Sequence, residues 1–282
     1  MAFQSTEKSN LDDKSRDHES PPPAYTRHAN QLGLDEALAR LTLSISDAPG
    51  NPEVDTCLAH LKLLHAIQDM KEEVGYTDGL WNIWDSRVNY ETPNSTEAVS
   101  AATGKEPQGD ELKRFMASEI REKRWALFVA RAVDRYRAWW ESFQKHMLTE
   151  MDMQTVGGVF DFPQCAKPMV WDETMMLPLD VLMVMHTHML NPRSFLEDTL
   201  RNGLTSIWAT GVPWRLVNDA IDADCSYKVS DEAKANWVAR TGCNWDNTDD
   251  QLTKTLSCPY CSGMVNVPWT TCGMDECSNG FT

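Results

Sequence analysis

Between residues 111 and 147, Phe115, Trp125, Phe128, Val129, Ala132, Tyr136, Trp139 and Phe143 recur at steps that bring them to one side of a helix. No other segment constrains the fold as strongly. A side-chain set that stays in phase over so long a run predicts one amphipathic helix, whose aromatic stripe other elements must cover. Such a stripe is read as core surface rather than as a cofactor box. From Lys113 to Arg137 the same stretch holds eight basic residues against Glu119, Glu122 and Asp134. These are read as a solvated face that neutralises acidic neighbours.

Further helices are predicted on either side. Residues 32–45 and 53–74 show the helical period, with Ala48-Pro-Gly-Asn-Pro52 between them. In the second, Cys57, Leu58, Leu61, Leu64, Ile67 and Met70 form the expected apolar face, and Gly75 is placed as its C-cap. A short aromatic segment, residues 79–85, precedes a stretch over 91–110 read as a polar, mobile linker. Gly157 and Gly158 open an irregular passage through Pro163 and Pro168. A helix is predicted over 179–189. Asn191 as N-cap and Pro192 at the first helical position then open another that closes at Asn202-Gly203. Residues 213–221 and 230–241 predict two more, and the strand signal is confined to 264–268. The predicted class is mainly α: a helical bundle-like domain over 31–250 and a small cysteine-rich, zinc-knuckle appendix over 251–282.

Residues 1–30 are set apart. They are rich in Ser, Lys, Asp and Glu and carry Pro21-Pro22-Pro23, too polar to offset their ordering entropy, so a disordered arm is expected. The arm has no apolar core of a secretory signal, and no run of eighteen apolar residues predicts a membrane span. The remaining chain, 41% apolar overall, is long enough to fill a core. A formal charge of −16 argues against nucleic acid as a partner, since phosphate binding needs a basic footprint. The expected compartment is the reducing cytoplasm, with the nucleus left open.

Two clusters carry the candidate chemistry. His186 and His188 sit in the methionine-rich helix 179–189, with Asp180 and Asp198 as candidate partners. Imidazole is the commonest ligand for zinc, copper and iron. On a helix, however, residues two apart diverge by about 200°, so the pair cannot grip one ion. The favoured reading makes His186 or His188 a buried, hydrogen-bonded histidine that fixes the helix against Trp139, Trp140 or Trp171. The sharper readings are a polar ligand or ion bound by His186, His188 and Asp180, or acid–base catalysis. A facial two-histidine–carboxylate site lacks a downstream histidine, because none follows His188. His18, His28, His60, His65 and His146 add little.

Eight cysteines are present, four of them in the last 25 residues. Cys258, Cys261, Cys272 and Cys277 follow the spacing C-x2-C-x10-C-x4-C. Two thiolates in a Cys-Pro-x-Cys turn can each hold zinc at about 2.3 Å, and a second pair would close a structural tetrahedron. The pair Cys272 and Cys277 is longer than a usual knuckle, so the alternative is a partner pair in a longer chain. A closed zinc site would stabilise a segment too short to have its own core. Free or redox thiols are the competing reading, though no βαβ context supports a thioredoxin-like role. Cys57, Cys165, Cys225 and Cys243 are expected to be small buried hydrophobes.

Residues 177–195, Leu61-Lys-Leu-Leu-His65 with Thr77-Asp-Gly-Leu80, residues 124–135, and Cys258-Pro-Tyr-Cys261 with Val267-Pro-Trp269 together resemble the glycine-rich domain-containing protein-like family of plants and fungi, in its fungal form. The resemblance covers roughly residues 32–269. It implies a lineage rather than a reaction, and its fungal members imply the knuckle at Cys258 and Cys261. The chain has Met185 where relatives carry a tryptophan, and it lacks the glycine-rich tail. Relatives continue past the first knuckle, so a truncated gene model or fragment is expected.

No G-x-S-x-G, H-E-x-x-H or phosphate-cradling glycine loop occurs. The leading expectation is a non-catalytic intracellular interaction or scaffold protein with unidentified protein partners and a structural zinc. The alternative is an enzyme or small-ligand binder with a pocket around His186 and His188.

Overall fold

A computed structural model describes residues 53–87, 110–145, 149–151 and 167–271, with backbone alone for Arg87 and for residues 110–113. The arm 1–30, the helix predicted over 32–45, the linker up to residue 109, the passage 152–166 and Cys272 to Thr282 lie outside the described residues. The described chain is mainly helical. It comprises α1 (Val54–Tyr76), α2 (Asp110–Glu141), α3 (Leu179–Met189), α4 (Pro192–Arg201), α5 (Thr205–Thr210), α6 (Trp214–Ala220) and α7 (Asp231–Thr241), followed by β1 (Thr253–Ser257) and β2 (Met264–Pro268). No described helix is long and apolar enough to cross a membrane.

The long helix α2 is the spine. α1, α3 and α7 pack against it, α6 packs on α1, and α4 and α5 follow α3 around the same core. Its buried residues are Ile120, Arg124, Leu127, Phe128, Arg131, Ala132, Arg135, Tyr136, Trp139 and Trp140. That series keeps the three- and four-step rhythm of one helical face throughout. The aromatic stripe is core surface, as expected, with Phe115, Trp125, Val129 and Phe143 half-buried at its margin. Two apolar clusters result. The larger joins Leu63, Tyr136, Trp139, Met185, Phe195, Ile207, Val217 and Trp237, and the smaller gathers Val74, Trp81, Ile83, Ile120, Leu127 and Phe128. Burying each large apolar side chain contributes about 1.5–3 kcal/mol, so these clusters supply the main favourable term.

The reading of basic residues as a solvated face is corrected at three positions. Arg124, Arg131 and Arg135 are 0%, 1% and 3% exposed. They share the buried face because their spacing matches that of the aromatic stripe. Each guanidinium binds the carbonyls of an irregular segment that no ladder would satisfy. Arg124 donates to Ile83 O (2.6 Å) and Gly75 O (2.8 Å) and pairs with Asp85 (2.6 Å). Arg131 donates to Asn247 O (2.8 Å), Asp250 O (2.8 Å) and Gln251 O (3.0 Å). Arg135 donates to Trp245 O (2.7 Å) and Asn244 O (2.8 Å).

The apolar face expected on α1 is also corrected. Leu61 and Leu64 are 56% and 42% exposed, whereas Ala59, Lys62, Leu63, Ala66 and Val74 are buried. Small alanines let α1 approach its neighbours closely, and Lys62 reaches across to α6. There its ammonium donates to Ile221 O (2.6 Å) and Asn218 O (3.1 Å), closing the end of that helix. Gly75 is not the C-cap. It lies inside α1, a Cβ there would meet Arg121 Cβ at 3.4 Å, and the cap is Thr77, whose hydroxyl donates to Glu73 O (2.7 Å). The left-handed turn falls instead at Gly79, with φ +76°.

The ends of α4 are as predicted in position. Asn191 precedes Pro192 at N1, Asn202 ends α4, and Gly203 follows with φ 65°. Asn191 does not cap through its side chain, which donates backward to Thr187 O at 3.3 Å. Ser230 accepts from Ala233 N at 3.2 Å and so caps α7. β2 matches the single predicted strand, and its antiparallel partner β1, in register from Thr253 opposite Pro268 to Ser257 opposite Met264, was not foreseen.

Candidate functional site

α3 carries both motif histidines, and its backbone sends them apart. His186 faces α1 and α6. Its ring lies 4.8 Å, centroid to centroid, from His60 and 6.4 Å from Trp214, and His60 lies 5.3 Å from Trp214. Burial, and then the neighbouring His60 ring, hold the His186 imidazole below its ordinary value, so its neutral form is favoured. Among the described residues, His60 Nε2 is buried with no hydrogen-bond partner.

His188 faces α2 and α4. Its Nδ1 lies 3.2 Å from the Tyr136 hydroxyl, and its Nε2 lies 3.2 Å from Asp198 Oδ2. The ring is boxed by Phe195 (5.1 Å) and Trp140 (5.5 Å). Burial first, and the charge of Asp198 second, push the Tyr136 hydroxyl well above the phenol range, so it keeps its proton. Tyr136 and Nδ1 thus share a hydrogen bond whose direction follows the imidazole tautomer, and Nε2 faces Asp198. This matches the expectation of a hydrogen-bonded histidine set against Trp140, with Asp198 as partner.

Asp180 joins neither ring. At the start of α3 its carboxylate accepts from Arg135 Nε (2.8 Å) and Asn247 Nδ2 (2.9 Å). Burial pushes this carboxyl up, while Arg135 and Asn247 pull it back toward the charged form. Asn247 completes the lock by donating to Phe128 O (3.1 Å) and accepting from Arg131 Nε (2.9 Å). An open cleft of about 910 Å³ runs past Asp180 between α1 and residues 224–227 and 245–248, with Asp69, Glu72 and Tyr227 on its walls. His186 and His188 are not among its described lining residues. The trio expected to gather around one ligand is thus dispersed over three environments.

Cys258 and Cys261 sit at the turn of the β1–β2 hairpin. Cys258 N donates to Gly263 O (2.8 Å) and Ser262 N donates to Cys258 O (2.8 Å), with Ser262 at φ 55°. The Cys258 thiol is drawn below its ordinary range by the backbone N–H of Cys261, then that of Tyr260, then the Cys261 thiol. Those donors favour the thiolate, the form that binds a metal. Among the described residues, none of Cys57, Cys225, Cys243, Cys258 and Cys261 forms a disulfide. Cys225 is buried and Cys243 half-buried, as expected of small hydrophobes, but Cys57 is exposed, on the solvent side of α1. Cys165, Cys272 and Cys277 lie outside the described residues, and among the described residues no three His, Cys, Asp or Glu side chains converge.

Among the described residues, the hairpin is fastened to the helical body at its base. Lys254 pairs with Asp134 on α2, Trp269 N donates to Leu252 O (3.0 Å), and Arg131 stacks over Trp269 at 5.8 Å. Tyr260, Met264, Val265 and Leu256 are 98%, 67%, 55% and 45% exposed.

Sequence reasoning missed His60, which was set aside, and Tyr136, which was read only as core. It also missed Trp214 and Asn247. One signal was available for the three arginines: they repeat in phase with Phe128, Ala132 and Tyr136. None marked His60 as the neighbour of His186, since that contact spans 126 positions of chain. No protein-family model, curated protein or solved structure matches this chain.

Proposed function

We propose that this chain is a non-catalytic interaction or scaffold protein of the glycine-rich domain-containing protein-like family, working inside the cell with a structural zinc in its C-terminal hairpin. The observation that carries the reading is the hairpin itself: apolar side chains stand in solvent on an element anchored to the spine. Contiguous exposed apolar patches mark sites that another protein covers. Zinc fits the donor set, because Cys258 and Cys261 flank a turn whose amides stabilise thiolate. Closing the tetrahedron falls to Cys272 and Cys277 or to a pair further along a longer chain. The ion would hold the turn that presents Tyr260.

The histidine motif supports the same reading as a fold element, with His188 fixed by Tyr136 and Asp198 and Asp180 fixed by Arg135. The alternative, an enzyme or small-ligand binder with a pocket around His186 and His188, draws on the neutral form favoured at His186 and on the open cleft beside Asp180.

The test is elemental analysis of the dialysed full chain, combined with partner capture from its native cells. About one tightly held zinc per chain, lost in C258S/C261S and retained in H188Q, is expected. Partner capture should fail for Y260S/V265K, with zinc and melting temperature unchanged. A zinc-free wild type, or capture indifferent to the hairpin substitutions, would count against the proposal.

A further inference from the structure

His60 and His186 come together from helices far apart in sequence, and the pair has features that core histidines do not need. Their rings are 4.8 Å apart and tilted by 51°, neither face to face nor hydrogen-bonded to one another. Among the described residues His60 Nε2 has no hydrogen-bond partner and is shielded from solvent, an arrangement in which a buried polar atom loses its hydration without return. His186 is 7% exposed and makes aromatic contacts with His60 and Trp214. Simple packing would favour an apolar pair here, and a hydrogen-bonding role would show a donor and an acceptor.

We infer that His60 and His186 form a second, sulfur-free site for a divalent transition-metal ion of the zinc type. Three properties fit it. The neutral imidazole favoured at His186 is the form that ligates. Two metal–nitrogen bonds of about 2.0–2.1 Å each span a gap that rings this close can match by rotating about their side-chain bonds. Among the described residues no carboxylate or thiolate completes a three-ligand group. The ion would therefore keep positions for solvent or a small anion, unlike the closed tetrahedron proposed for the cysteines. Imidazole donors suit zinc, copper and nickel rather than magnesium or calcium. Trp214, edge-on to His60 at 5.3 Å, walls one side. His188 takes no part, because Tyr136 and Asp198 hold both of its nitrogens.

The site is independent of the knuckle and is tested without it. In the full-length C258S/C261S variant, zinc titrated by calorimetry should bind at one ion per chain. Affinity should fall at least tenfold in added H60Q or H186Q and stay within twofold in added H188Q. In case serine substitution unfolds the hairpin, the zinc-loaded wild type is titrated with a second equivalent of zinc while the ¹⁵N signals of its histidine rings are followed. His60 and His186 should shift together, with His188 unmoved. Absence of binding in the folded serine variant, equal affinity in H60Q and H186Q, or ring signals that ignore the second equivalent would each overturn the site. Failure of the knuckle shows separately, as loss of the first, tightly held zinc.

Discussion

Gly79 shows how much one residue can carry. It follows α1 at φ +76°, and a Cβ there would lie 2.4–2.7 Å from the Trp84 ring. Gly79→Ala should therefore destabilise by at least the roughly 1–2 kcal/mol of left-handed backbone, plus the overlap, read from chemical denaturation. His186 gives a second residue-scale prediction, with a sign. Its folded-state pKa lies below the ordinary value of 6.5 because of burial and then His60. Between those two values the unfolded chain binds more protons than the folded one. Its contribution to stability is thus complete above about pH 6.5 and drains away as pH falls through the folded value. Stability measured from pH 7.5 to 5 should fall less steeply in H186Q than in wild type. Gly79 was visible in the sequence only as the start of an aromatic segment, because its demand for positive φ arises from Trp84 folding back over it. The burial of His186 was expected, but its neighbour was not, since helical periodicity reports faces and not which faces meet.

At the scale of elements, α2 was the most readable part of the chain. Its stripe and its role as core surface follow from spacing alone, as does the Asn191-Pro192 start of α4, whereas the helix predicted to run to Met147 ends at Glu141. The arginines were misjudged because charge outweighed phase: Arg124, Arg131 and Arg135 repeat with the apolar residues and not against them. Each stitches an irregular segment to the spine, and the Arg135–Asp180 pair is closed on both sides, at 3% and 4% exposure. Buried pairs add little net stability but are expensive to break on one side. Arg135→Ala should cost about 3–5 kcal/mol, whereas the double change R135M/D180L should recover most of that loss; equal loss in both would show that the carbonyl bonds to Asn244 and Trp245 dominate. The hairpin behaves in the opposite way. Tyr260 is 98% exposed, so Tyr260→Ser should alter unfolding free energy by less than about 0.5 kcal/mol while weakening partner capture. β1 escaped detection because Thr253, Thr255 and Ser257 give a polar strand without the apolar alternation that marked residues 264–268.

For the whole molecule, the class and most helices were legible, and the arrangement that matters for function was not. One short motif feeds three separate environments: Asp180 in the arginine network, His186 beside His60, and His188 between Tyr136 and Asp198. Divergence of the two rings follows from helix geometry; their destinations depend on α1, α4 and α6, which no local pattern specifies. The zinc assignment depends on that separation, with sulfur holding one ion and the motif histidines never sharing another. Anomalous diffraction at the zinc edge from crystals of the zinc-loaded full chain tests it most directly. A zinc peak is expected at Cys258 and Cys261, with any further peak between His60 and His186 and the His188 ring held by Tyr136 and Asp198. A single peak ligated by both His186 and His188 would contradict it.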